Sequence, residues 1–221
     1  YIDINDNLTF LPNNYFIWTS EKDGYNHIYL KGLDGSEEQL TNGAWEVTSF
    51  DGLDSDNMKI FYRSTEEGSI NRTLYVLDLE TGKSKKLSKD IGTNSVKFSK
   101  GLKYYINSYS NANIPPVYSL HKSDGKELKI LEDNKDFQTT ISEYNITAKE
   151  FFKIPIGDYE LNSWVIKPPN FDKNKEYPLF MFLYGGPGSQ KVLNQFESGN
   201  YFWHQMLAQQ GYIVACVDNR G

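Results

Sequence analysis

Only one cysteine, Cys216, occurs in the 221 residues. A single thiol closes no intramolecular disulfide and anchors no cysteine-rich metal site, which excludes a small secreted domain held by bridges. No apolar run reaches the ~18 residues expected of a membrane-spanning helix. The chain does not open with the charged, apolar and small-residue succession of a signal peptide. A basic excess is also missing. The formal charge is −6 and spread along the chain, so no nucleic-acid partner is expected. Tyr1-Ile2-Asp3-Ile4 reads as mid-strand, and Val217-Asp218-Asn219-Arg220-Gly221 follows directly on a buried-strand pattern. Both ends therefore read as cuts within a longer protein.

Aromatic residues are plentiful at 15%, with 16 Tyr and 13 Phe. Flat rings pack well on a pleated surface, which favours strands and argues against disorder. A repeat organises them. His27-Ile28-Tyr29-Leu30, Leu74-Tyr75-Val76-Leu77 and Val117-Tyr118-Ser119-Leu120 place their tyrosines 46 and 43 residues apart. Each is followed by a turn signal (Asp34-Gly35, Thr81-Gly82, Asp124-Gly125) and a closing leucine, as in a hairpin. Each is preceded by a second apolar strand: 15–18, 59–62 and 103–106. Before those lie 2–4, 45–50 and 95–98. Four strands per period is the pattern of a β-propeller blade, which completes its core by stacking on neighbours. A β-sandwich with fortuitous spacing is the competing reading, and the matching offsets favour the propeller. About three blades are present, over 1–136.

The pattern changes after residue 136. A hairpin is expected over 150–154 and 161–166 with its turn at Gly157-Asp158. Residues 178–184 follow as a strand apolar almost throughout, like one covered on both faces of a parallel sheet. A helix is expected over about 199–210, with Phe202 paired to Met206 and Trp203 to Leu207, ending at Gly211. Residues 212–217 form a further buried strand. This order fits the N-terminal part of an α/β-hydrolase domain over 137–221, with about 136–150 as the crossover.

The motif that carries chemistry is Tyr184-Gly185-Gly186-Pro187-Gly188-Ser189-Gln190, in the loop after the third of these strands. In α/β-hydrolases that loop supplies donors to the oxyanion of acyl transfer. Such donors stabilise the tetrahedral transition state. Glycines admit close backbone approach, and a tyrosine hydroxyl at the strand end is a fitting donor. On residue types alone, the glycines and Pro187 serve equally as a tight turn. The position behind a buried strand favours the oxyanion reading.

Lys175-Glu176-Tyr177-Pro178-Leu179, the Tyr184–Gln190 motif and the final five residues resemble the start of the hydrolase domain of the dipeptidyl peptidase IV family of serine peptidases. Trp18-Thr19-Ser20-Glu21, His27-Ile28-Tyr29, Leu40-Thr41-Asn42-Gly43, Trp45-Glu46-Val47, Val96-Lys97-Phe98-Ser99 and Leu131-Glu132-Asp133-Asn134 resemble its last propeller blades. The likeness covers nearly the whole chain. It implies a cofactor-free exopeptidase that releases X-Pro or X-Ala dipeptides from peptides by Ser-His-Asp acyl transfer. Tyr184 is then the oxyanion-hole tyrosine, acting with a backbone N–H beside the nucleophile, in a loop with Gly185 and Gly186. Gly-Gly-Pro-Gly stands where some relatives carry other small residues, and this leaves the tyrosine untouched.

No Gly-x-Ser-x-Gly occurs in the sequence. The nucleophile, Asp and His are expected beyond Gly221 and the amine-binding glutamates upstream of Tyr1, so the fragment alone is expected to be inactive. The likeness also implies a homodimeric, exported parent, periplasmic or membrane-associated if bacterial. Two alternatives stand: a tripeptidyl or acyl-aminoacyl peptidase of the same family, and a non-catalytic binding protein of the same shape.

The remaining residues have plainer readings. His27, His121 and His204 lack companion ligands, so no metal is expected, and His204 reads as a surface residue. Cys216 reads as a small core residue. Ser189 reads as a loop residue, and Arg220, by the resemblance, as a structural ion-pair partner. Asn7, Asn71 and Asn145 each begin a glycosylation pattern.

Overall fold

Short strands rich in Tyr, Phe, Ile and Val, punctuated by glycine turns, make up four sheets of four strands. The computed structural model describes residues 7–12, 14–186 and 188–219. The strand expected at 2–4 and the ion pair expected of Arg220 lie outside them.

The first sheet pairs β1 (Thr9–Phe10), β2 (Tyr15–Ser20), β3 (His27–Gly32) and β4 (Glu37–Gln39) in chain order. The second pairs β5 (Val47–Asp54), β6 (Lys59–Ser64), β7 (Thr73–Asp78) and β8 (Lys83–Lys86). The third pairs β9 (Thr93–Phe98), β10 (Tyr104–Asn111), β11 (Ile114–Lys122) and β12 (Glu127–Glu132). Each repeat period is therefore one sheet. The first strand of the first sheet, Thr9–Phe10, pairs antiparallel with β2.

Side chains alternate across a strand, and the second sheet uses both faces. Ile60, Tyr62, Tyr75 and Leu77 pack with Ile17 and Ile28 of the first sheet. Phe61 and Leu74 pack with Tyr105, Val96 and Phe98 of the third. The third sheet keeps Tyr104, Ile106, Tyr118 and Ile130 exposed, and the three sheets form an open stack. Gly125 turns the β11–β12 hairpin at φ 92°, in the left-handed region that favours glycine.

The chain divides into two compact units. One holds residues up to Tyr109 together with Tyr118–Glu132; the other holds Ser110–Val117 and residues from Asp133 onward. The tip of the β10–β11 hairpin thus belongs to the second unit. There Asn113 acts as a backbone mimic: its Oδ1 accepts the Lys149 N–H at 2.8 Å and its Nδ2 donates to the Lys149 carbonyl at 3.1 Å. Asn194 Oδ1 accepts the Ala112 N–H at 3.1 Å.

The second unit contains α1 (Lys135–Ser142), β13 (Glu150–Ile156), β14 (Tyr159–Ile166), β15 (Leu179–Phe182), α2 (Ser198–Gln209) and β16 (Ile213–Val217). β13 and β14 form the expected hairpin, with Gly157 at φ 58° in its two-residue turn. The sheet order is β13-β14-β16-β15, and only the β15–β16 pair is parallel.

The described residues of the second unit form one small mixed sheet with α2 packed on it, and no complete α/β-hydrolase domain is present among them. One expectation needs correction: β15 is not covered on both faces. It is an edge strand whose Leu179 and Met181 are exposed, while Phe182 turns toward α2 and meets the ring of His204. An unbroken apolar run cannot say which of its faces finds a cover.

Candidate active site

β15 ends at Phe182, and Tyr184 follows two residues later on the exposed end of the sheet. Its side chain is 51% exposed. Its hydroxyl makes no hydrogen bond to the described residues, so it is open to an incoming acceptor. Two neighbours bound the ring. A methyl group placed on Gly186 would lie 2.8 Å from Cε1 and 2.9 Å from the hydroxyl oxygen of Tyr184. Glycine at 186 therefore lets the backbone run directly against the phenol. Beyond its chain neighbours Tyr184 and Gly186, a methyl on Gly185 would meet nothing within 4 Å. The second neighbour is Lys191, whose ammonium lies 5.1 Å from the ring centroid.

The loop returns to the sheet through Asp218, the first residue after β16. Asp218 Oδ1 accepts the Lys191 N–H at 2.8 Å and Oδ2 accepts the Val192 N–H at 3.0 Å. Its own N–H donates to the Asn162 carbonyl at 3.0 Å, which ties the carboxylate to the central strands. Val192 is fully buried. Sequence reasoning assigned no role to Asp218 or Lys191. An acidic residue just past a buried strand was the available signal.

Helix α2 differs from its expected form. It buries Tyr201, His204, Gln205 and Ala208, the i, i+3, i+4, i+7 stripe, and leaves Phe202, Trp203 and Met206 exposed. His204 is not a surface residue; it is 1% exposed and packs against Trp164 and Phe182. Beside it lies a charge cluster in which Lys149 is buried and Glu197 half-buried. Lys149 Nζ is 3.0 Å from Glu197 Oε2 and 4.3 Å from the centre of the Trp164 ring. His204 Nδ1 is 3.6 Å from the same Glu197 oxygen. Burial pushes the Glu197 carboxyl up, but His204 and Lys149 outweigh it and hold the group below its ordinary value.

The other residues singled out have structural surroundings. His27 bonds Thr41 Oγ1 and the Gly43 carbonyl, each at 3.1 Å. Ser119 Oγ lies 2.7 Å from His121 Nε2, a spacing fit for a nucleophile and base. Yet Ser119 is buried on a strand, and the other ring nitrogen faces the Gly125 carbonyl rather than a carboxylate. This pair does not serve acyl transfer. Cys216 is buried, and burial first, with Asp218 and Glu197 adding, pushes its thiol up to about 12. It is no thiolate nucleophile at neutral pH. Asn71 is buried with its amide on the Glu67 carbonyl, which removes it as a glycan acceptor in the folded chain. Asn145 is exposed.

The family described as "Dipeptidyl peptidase IV (DPP IV) N-terminal region" matches residues 1–116. The chain belongs to the dipeptidyl peptidase IV family. Its first unit is accordingly of that family's propeller-type N-terminal region. The chain is 34% identical over 218 residues to a probable dipeptidyl-aminopeptidase B of Botryotinia fuckeliana, covering 95% of this chain and 23% of that protein. It is 32% identical to a probable dipeptidyl peptidase 4 of Aspergillus flavus, covering 94% of this chain and 28% of that protein. The crystal structure of Porphyromonas gingivalis dipeptidyl peptidase 4 superposes with a TM-score of 0.89 at 42% identity, over 97% of this chain and 30% of that one. The chain thus spans about a quarter of the length of the dipeptidyl peptidase IV relatives it matches.

Proposed function

We propose that this chain is part of a serine exopeptidase that releases N-terminal X-Pro or X-Ala dipeptides through an acyl-enzyme. In this reading its three stacked sheets are the last blades of a β-propeller, and the sheet with α2 begins an α/β-hydrolase domain. Tyr184 donates its hydroxyl to the carbonyl oxygen of the scissile peptide as negative charge builds there, with the 185–186 backbone as the adjoining loop. The nucleophile, Asp and His belong to other parts of the parent. The observation that carries this reading is Tyr184: its side chain is exposed just beyond a parallel strand, its hydroxyl has no hydrogen bond among the described residues, and it is backed by a glycine that no other residue could replace without displacing the ring.

The test uses the complete parent enzyme and Gly-Pro-p-nitroanilide. Tyr184→Phe removes one oxyanion donor and is expected to lower kcat roughly 10²–10³-fold while KM changes little. Unaltered kcat would refute the role. A substrate panel addresses the family alternatives: cleavage only of N-blocked substrates points to an acyl-aminoacyl peptidase, and release of tripeptides to a tripeptidyl one. The isolated chain is expected to show no turnover. The parent is proposed to be an exported homodimer, which cell fractionation and light scattering check.

A further inference from the structure

We infer that Asp218 is a positioning residue for the Tyr184 hydroxyl, acting through Lys191; this rests on the reading of Tyr184 as an oxyanion donor. A donor is effective only if it is aimed before the charge develops, and among the described residues Tyr184 has no hydrogen bond to aim it. The described residues of the 183–191 stretch belong to no helix or strand, and the stretch is rich in glycine, so it carries little stiffness itself.

What stiffness it has comes from its far end. β16 is a central strand, paired on both sides with β14 and β15. Asp218 follows it directly and is held by the Asn162 carbonyl. Its two carboxylate oxygens take one backbone N–H each, from Lys191 at 2.8 Å and Val192 at 3.0 Å. The Val192 side chain is buried, which fixes the rotation of the segment. Lys191, pinned at its backbone, extends its ammonium to 5.1 Å from the Tyr184 ring centre. A cation over an aromatic face is attracted by the ring quadrupole, so it restrains the ring while leaving the hydroxyl edge free. The Gly186 backbone bounds the ring at the hydroxyl end. The sheet is thereby connected to the phenol through one carboxylate and one ammonium.

The experiment is a mutant cycle in the complete parent enzyme with Gly-Pro-p-nitroanilide: Asp218→Ala, Asp218→Asn, Lys191→Met, Tyr184→Phe, and the first and third each combined with Tyr184→Phe. A misaimed donor is expected to lower kcat roughly 10–100-fold with KM little changed. Asp218→Asn, which keeps one acceptor, should fall between wild type and Asp218→Ala. On the Tyr184→Phe background neither Asp218→Ala nor Lys191→Met should lower kcat further, since no hydroxyl remains to aim. Losses that multiply on that background would overturn the inference, as would wild-type kcat in Lys191→Met. If Asp218→Ala does not fold, Lys191→Met decides alone, because it keeps both backbone bonds to the carboxylate. Wild-type kcat in Tyr184→Phe would instead sink the underlying reading.

Discussion

Gly186 and Gly185 are neighbours in the chain with unequal surroundings, and this difference can be measured. An alanine methyl at 186 must displace the Tyr184 ring, whereas one at 185 meets no atom within 4 Å beyond its chain neighbours Tyr184 and Gly186. In the parent, Gly186→Ala is expected to lower kcat by at least tenfold more than Gly185→Ala, as read from steady-state kinetics. Glu197 gives a second measurement at this scale. Its folded pKa lies below the ordinary 4.5, so the unfolded chain binds more protons between the two values. Its contribution to stability is complete above that ordinary value and is lost as pH falls through the folded one. Thermal unfolding from pH 7 to 3 should show this acid slope, and Glu197→Gln should flatten it. Tyr184 was legible in the sequence because strand, loop and glycines are local. Lys149, His204 and Gln205 were not: polar and charged types are mostly exposed, His204 reads as surface, and the burial of all three follows from partners far along the chain.

Helix α2 was placed within a residue of its observed bounds, yet its inner face was misjudged. Hydrophobicity ranks Phe202, Trp203 and Met206 above His204 and Gln205, but the inward stripe is set by which side chains meet β14 and β16. Gln205 explains one inward polar position. Its Oε1 accepts the Thr147 N–H at 3.0 Å and its Nε2 donates to the Thr147 carbonyl at 2.7 Å. Gln205→Leu leaves both backbone groups without that partner and is expected to cost about 1–3 kcal/mol in urea denaturation. Helix α1 went unforeseen because KDFQTTIS is mostly polar and buries only Ile141. At the level of strands, repeat spacing succeeded because each sheet carries its own turn chemistry. It gave no sign of 9–10, a two-residue strand too short to announce itself.

Across the whole molecule, the second sheet is the most enclosed. Ile60→Ala removes apolar volume from a fully buried site between sheets and is expected to cost about 2–5 kcal/mol, whereas Ile130→Ala on the open outer face should cost far less. Equilibrium denaturation of the two variants compares them directly. The hairpin β10–β11 carries a different implication. Because Ser110–Val117 belongs to one unit and its flanking strands to the other, no single scission divides the polypeptide into its two parts. A piece starting at Asp133 would forfeit Asn113 and with it both backbone bonds at Lys149. During synthesis that hairpin emerges before Lys149 does, so the later unit matures against an anchor the ribosome has already delivered.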